Sequence, residues 1–237
     1  MKFTYEAYKE LIELLCDNNY KIANYKNYKE YDKSVILRHD IDYSLDKAVA
    51  LAELENSLGI SSVYFVLVTS DFYNIFSKES SKKINRIIEL GHEIGLHFDE
   101  LRYDEDIDVV KTIINEKELL EKITYPNKVE SVSMHRPSKK TLESNYKIPE
   151  MINSYGNIYF NDFKYLSDSR RRWRENVIEI IESGAYDKLH ILTHAFWYFD
   201  EEKDIKETIN EFLNEAKGDR YIILKDNITD LDSILEG

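Results

Sequence analysis

Cysteine is almost missing from this chain. One residue, Cys16, among 237 excludes an intrachain disulfide and a cysteine-built zinc site, and it points to a reducing compartment. Proline and glycine are also scarce, at three and seven residues, which argues against a loop-dominated all-β architecture. No stretch approaches the ~20 consecutive apolar residues that a membrane helix needs, and the first eight residues hold no apolar run that could serve as the core of a signal peptide. Positive charge is in short supply too: 32 basic residues face 45 acidic ones, for a formal net charge of −13. Such a field repels a phosphate backbone and disfavours nucleic acid as a partner. The expectation is a cytoplasmic protein with neither a membrane span nor a nucleic-acid partner.

What the chain has is alternation. Thr4 precedes an apolar stripe at Tyr8, Leu11, Ile12 and Leu15, the pattern of a capped amphipathic helix. Strands are expected at 34–38, 62–68, 93–96, 129–134, 154–160, 189–193 and 221–224, with helices at 44–59, 82–90, 104–123, 173–182 and 204–216 between them. No linker or repeat interrupts this pattern, so a single domain over 1–237 is expected. Strand and helix in alternation make βα units and a mostly parallel sheet, either a β/α barrel or an open doubly wound sheet. Both place chemistry at the carboxyl ends of strands.

Reactive side chains gather at those ends. The first strand runs into Arg38-His39-Asp40-Ile41-Asp42, and an extended chain points Asp40 and Asp42 to the same side and His39 to the other. Two neighbouring carboxylates are costly unless a cation lies between them or one holds a proton. Later strands end in His97-Phe98-Asp99-Glu100, in His135-Arg136-Pro137 and in His194-Ala195-Phe196-Trp197. All six histidines lie in or beside these segments. His39 and His92 read as structural, and His190, four residues before His194, reads as buried below the site. The run Arg170-Arg171-Arg172-Trp173-Arg174 stands out in an acidic chain, and guanidinium forks suit a carboxylate or diphosphate on an anionic or nucleotide-linked sugar.

These motifs, spread from Ser34 to Trp197, resemble those of the NodB-type polysaccharide deacetylases, carbohydrate esterase family 4. The resemblance implies an α/β fold of the distorted (β/α)7-8 barrel type and a metal-dependent hydrolase that removes an acetyl group, N-acetyl ahead of O-acetyl, from a sugar or sugar-containing precursor. It implies Asp40 as catalytic base, with Asp42 and His97 as ligands of a divalent metal, zinc foremost. Arg136 would orient the base, Asp168 would brace that arginine, and His194 would be the general acid. Trp173 would wall the pocket, with Trp197 among the aromatic side chains against which a sugar packs. One departure stands out. The family's further metal-binding histidine would fall at Leu101, which ligates nothing. His135 is the first candidate for the missing ligand, and Asp99 or Glu100 the next. That gap keeps two other readings open: a metal-independent amide hydrolase of the allantoinase-like type, and a non-catalytic sugar-binding relative.

Overall fold

The computed structural model describes residues 1–236, and the chain divides into two compact units, Met1–Asp200 and a second beginning at Glu201. The first unit opens with helix α1 (Tyr5–Asp17), whose N-cap Thr4 accepts a hydrogen bond from the Ala7 amide at 3.1 Å. Thirteen residues are marginal as a free helix. Burial of Ala7, Tyr8, Leu11, Ile12 and Leu15 supplies the stability, at about 1.5–3 kcal/mol for each large apolar side chain.

The strands follow in order: β1 (Lys21–Ala23), β2 (Ser34–Ile41), β3 (Val63–Leu67), β4 (Glu93–Asp99), β5 (Ser131–His135), β6 (Ile152–Asn153), β7 (Lys164–Ser167) and β8 (Lys188–Thr193). All pair in parallel, in the order β6-β5-β4-β3-β2-β8-β7, and β1 covers the early part of β2 that β3 does not reach. Parallel pairing requires crossovers. These are α2 (Leu45–Ser57), α3 (Lys78–Glu89), α4 (Val109–Thr124), α5 (Lys139–Ser144), α6 (Asn157–Asn161) and α7 (Val177–Ser183). Every residue of β2 and β3 is buried, as expected of strands covered on both faces.

This is the distorted β/α barrel expected from the sequence. Ring closure would need β6 to pair with β7, and it does not. The barrel interior is nonetheless continuous across that gap. Arg38 on β2 reaches Ser154 beyond β6 at 2.8 Å, and the rings of Tyr155, Phe160 and Tyr165 contact one another in series. Lower in the interior, the rings of Tyr25, Tyr159, Phe163 and Tyr165 surround the buried His190, whose Nε2 lies 2.8 Å from the Tyr25 hydroxyl, and Phe65 packs against Tyr25. Gly95 on β4 makes room for this layer, because a Cβ there would overlap the Phe65 ring.

Several elements differ from the sequence expectation. Residues 154–160 form no strand; β6 ends at Asn153, and Gly156 caps the short helix α6. The strand next in sequence is β7, at Lys164–Ser167. The helix expected over 173–182 begins only at Val177, because the arginine-rich segment before it is irregular. In the second unit, α8 (Ile205–Asn227) runs through 221–224, where a last strand was expected. Four apolar residues in a row cannot by themselves distinguish strand from helix. A capping box starts α8: Asp204 accepts from the Glu207 amide and Glu207 from the Asp204 amide, both at 2.8 Å. It is followed by α9 (Leu231–Glu236). No helix among the described residues is long and apolar enough to cross a membrane.

Candidate active site

One cavity of about 890 Å3 opens at the carboxyl ends of the strands, and Asp40, Asp42, His97, His135, His194 and Trp197 all line it. Asp40 and Asp42 share a face, as alternation along β2 requires. His97 comes from β4, His135 from the end of β5 and His194 from the residue after β8.

Three of these side chains make a triangle. Asp42 Oδ1 lies 3.2 Å from His97 Nε2 and 3.3 Å from His135 Nδ1, and the two imidazole nitrogens are 3.1 Å apart. Ligands held at about 2.0–2.1 Å around a tetrahedral zinc stand about 3.3 Å from one another. The triangle therefore has the edge lengths of one face of such a site. Two further features fit a divalent ion. Asp42 Oδ1 is buried with no hydrogen-bond partner, an unmet acceptor of the kind a cation satisfies. The other ring nitrogen of His97, Nδ1, faces the Ser133 carbonyl at 3.3 Å, an arrangement that leaves the Nε2 lone pair free for coordination. Burial works against the Asp42 carboxylate, but the adjacent His135 and His97 imidazoles and the charge of His194 hold its pKa far below the usual range.

The family's further histidine falls at Leu101, and the candidates to replace it are His135 first and Asp99 or Glu100 next. Leu101 is exposed in a short turn. Asp99 accepts hydrogen bonds from the Leu101 amide and from Arg136, and Glu100 from the Ser138 amide and the Thr141 hydroxyl. Both carboxylates are engaged away from the triangle. His135, on the neighbouring strand, completes it.

Asp40 has a different partner from the one expected. Arg38, two residues earlier on the same strand and 0% exposed, donates from Nη2 to Asp40 Oδ2 at 2.8 Å. The guanidinium also donates to Ser133 Oγ at 2.6 Å and Ser154 Oγ at 2.8 Å, and it lies between the rings of Phe65 and Tyr155. Burial pushes the Asp40 carboxyl up; Arg38, then His97 and His194, outweigh this and keep it below the ordinary range. Arg136 does not orient this carboxylate. Its backbone sits at φ 48°, its side chain is 59% exposed, and its guanidinium goes to Asp99.

Asp168 is likewise committed to another group than the one expected. It does not brace Arg136. Its fully buried carboxylate accepts from the His194 backbone amide at 3.1 Å and pairs with His194 Nδ1 at 2.6 Å, and the Tyr198 hydroxyl donates to it at 3.2 Å. Burial lowers the His194 pKa, but Asp168 and then Asp42 and Asp40 more than offset this and raise it to about 9. The imidazolium is thus the neutral-pH form, with Nε2 turned toward Asp42 Oδ2 at 3.8 Å. Trp173 does not wall the cavity. It is half-buried, its indole nitrogen is buried without a partner, and it is absent from the lining, whereas Trp197 is present.

The remaining histidines lie away from the cavity. His39 faces α2, with Nδ1 2.6 Å from Thr193 Oγ1 and Nε2 3.0 Å from Glu55. His92 meets the Ala52 carbonyl at 2.9 Å. Burial and the Arg38 charge push the His190 pKa well below its usual value. The residues that sequence reasoning passed over are Arg38 and Ser133. The signal for Arg38 was present, since the alternation that pairs Asp40 with Asp42 puts residue 38 on the same face.

No protein-family model matches the chain, and no curated protein matches it. Among solved structures, the chain is similar to a wild-type CE4 family pseudoenzyme from Bacillus anthracis, at 12% identity and TM-score 0.45 over 79% of this chain and 62% of that one. It is similar to a mutant of the peptidoglycan deacetylase PdaC from Bacillus subtilis, at 12% identity and TM-score 0.43 over 82% and 98% of the two chains. It is also similar to a family 4 acetyl xylan esterase from Clostridium thermocellum solved with a cobalt ion, at 14% identity and TM-score 0.42 over 78% and 83%. The chain spans 62–64% of the length of the three Bacillus anthracis pseudoenzyme chains it matches. The likeness is one of fold.

Proposed function

We propose that this chain is a hydrolase that removes an acetyl group, N-acetyl in preference to O-acetyl, from a sugar or sugar-containing precursor, with a divalent metal, zinc foremost, held by Asp42, His97 and His135. The observation that carries the reading is the meeting of two devices in one cavity. The Asp42–His97–His135 triangle with Asp40 beside it lines the cavity, and His194, backed by Asp168, brings Nε2 to 3.8 Å from Asp42 Oδ2.

Amide hydrolysis needs a water stripped of a proton, a sink for charge on the acyl oxygen and a proton for the departing amine. A divalent ion, when bound, supplies Lewis acidity to the acyl oxygen and acidity to a water. The chain's own groups do the rest. Asp40, kept ionised by Arg38, takes the proton of the attacking water. Asp168 fixes the ring of His194 and its Nδ1 proton, so that Nε2 delivers a proton to the leaving nitrogen. Trp197 offers an apolar wall for the sugar.

The test is acetate release from N-acetylglucosamine oligomers and from acetylated xylan, with the metal content of the purified protein measured alongside. The expected result is a stoichiometric divalent metal, faster release from the N-acetyl substrate, and loss of about 10²–10⁴-fold in kcat for Asp40→Asn. Full activity in chelator would instead favour the metal-independent amide hydrolase, and no turnover of any acylated sugar would sink the hydrolase.

A further inference from the structure

Beside the cavity lies a second hollow of about 370 Å3, lined by Ser169, Arg170, Arg172 and Arg174. Ser169, Arg170 and Arg174 line the main cavity as well, so the two spaces share a wall. The backbone here turns sharply: Arg170 and Arg171 are left-handed at φ 60° and 56°, and Arg172 is extended at φ −146° and ψ 119°. Arg171 turns back over the Phe3 ring, 5.4 Å from its centroid, and Trp173 lines neither space.

The three arginines facing the hollow are solvent-exposed, and among the described residues their side chains make no ion pair or hydrogen bond. The acids nearest in sequence are already engaged, Asp168 with His194 and Glu175 with Lys164. In a chain with 45 acidic residues, three unpaired guanidinium groups around one hollow form an uncompensated cationic site. One carboxylate would satisfy a single fork. Three forks match a group with several anionic oxygens. A long polyanion is disfavoured by the net charge of −13.

We propose that this hollow binds a phosphoryl group carried by the substrate, so that the substrate is a sugar phosphate or glycosyl diphosphate whose acyl group enters the adjoining cavity. The word substrate rests on the hydrolase reading; the anion site does not, and it is tested without turnover. Inorganic pyrophosphate and inorganic phosphate are titrated calorimetrically into the wild type at fixed ionic strength, and into Arg172→Ser/Arg174→Ser, Asp42→Asn and Arg86→Ser. Arg86 pairs with Glu53 on the helical surface and serves as the control. The expected result is saturable binding, tighter for pyrophosphate than for phosphate, weakened about tenfold or more by the double substitution and unchanged by the other two. Absence of saturable binding overturns the proposal. Binding that survives the double substitution, or that disappears with Asp42→Asn, places the anion elsewhere and overturns it too. If acetylated sugars prove to be substrates, N-acetylglucosamine 1-phosphate should show a lower KM than N-acetylglucosamine, and the double substitution should erase that difference.

Discussion

The Arg38 guanidinium donates to Asp40 Oδ2 at 2.8 Å across two residues of one strand, in a barrel interior where the side chains are 0% and 4% exposed. This contact is local in sequence yet lies at the proposed catalytic site. It lets the proposed base carry its charge without water, and it ties that carboxylate through Ser133 and Ser154 to β5 and to the segment after β6.

A buried ion pair of this kind is expensive to break and much cheaper to delete whole. Arg38→Met leaves Asp40 without its counter-charge, and Asp40→Leu strands the guanidinium. Each substitution is expected to lower unfolding free energy by about 3–5 kcal/mol, with the double substitution costing clearly less than the sum. Urea denaturation of the four proteins completes the cycle, and additive losses would show that the two charges are not coupled.

Glu55 makes stability fall in acid. Its carboxylate is fully buried on α2 and accepts from Tyr8, Ser62 and Tyr64 at 2.6–2.7 Å and from His39 at 3.0 Å. Burial raises its pKa, but His39, His92 and Ser62 more than offset this and bring it to about 2 from an ordinary 4.5. The folded pKa lies below the unfolded one, so the contribution is complete above about pH 4.5 and is lost as pH falls through about 2; it amounts to about 3 kcal/mol. Glu55→Gln should flatten the stability-against-pH curve in that window, and a curve parallel to wild type would contradict the assignment.

The parallel barrel was readable because β2 opens on a short β-branched run and β3 is near-continuously apolar, while α1 and α2 carry caps and stripes at helical spacing. The carboxyl-end rule then gathered Asp40, Asp42, His97, His135 and His194. What was not readable depended on backbone angles and on contacts distant in sequence. Arg136 sits in the expected motif, but its left-handed φ sends the side chain to Asp99. Asp168 could have served any cation on the rim, and only the pairing of β7 with β8 puts it against His194. Residues 154–160 and 221–224 have strand-like composition inside helical or irregular segments, where tertiary context overrides propensity.

The triangle predicts metal binding that depends on His135. Purified protein loaded with zinc and desalted should retain close to one equivalent, with a rise in Tm. His135→Ala and Asp42→Asn should both retain almost none, while Leu101→His should change little, because residue 101 is exposed away from the triangle. Retention unaffected by His135→Ala would remove that residue from the ligand set.

The pair His194–Asp168 predicts a titration in the alkaline range. In metal-free protein the His194 imidazolium should titrate near pH 9. Because this folded pKa lies above the ordinary value of 6.5, the associated stability, at most about 3 kcal/mol, is fully present below about pH 6.5 and is lost as pH rises through about 9. Asp168→Asn keeps the shape of the partner but removes its charge, while burial of the ring persists; the midpoint should then drop by about two units or more. Tyr198→Phe removes only a 3.2 Å bond to the far carboxylate oxygen and should move it little. Ring-proton NMR across about pH 5–11, a range that brackets both the ordinary imidazole value and the raised one, resolves the three proteins. A wild-type midpoint near 6.5, or one indifferent to Asp168→Asn, would show that the carboxylate does not hold the proton on His194, and the proposed acid would need another source of its charge.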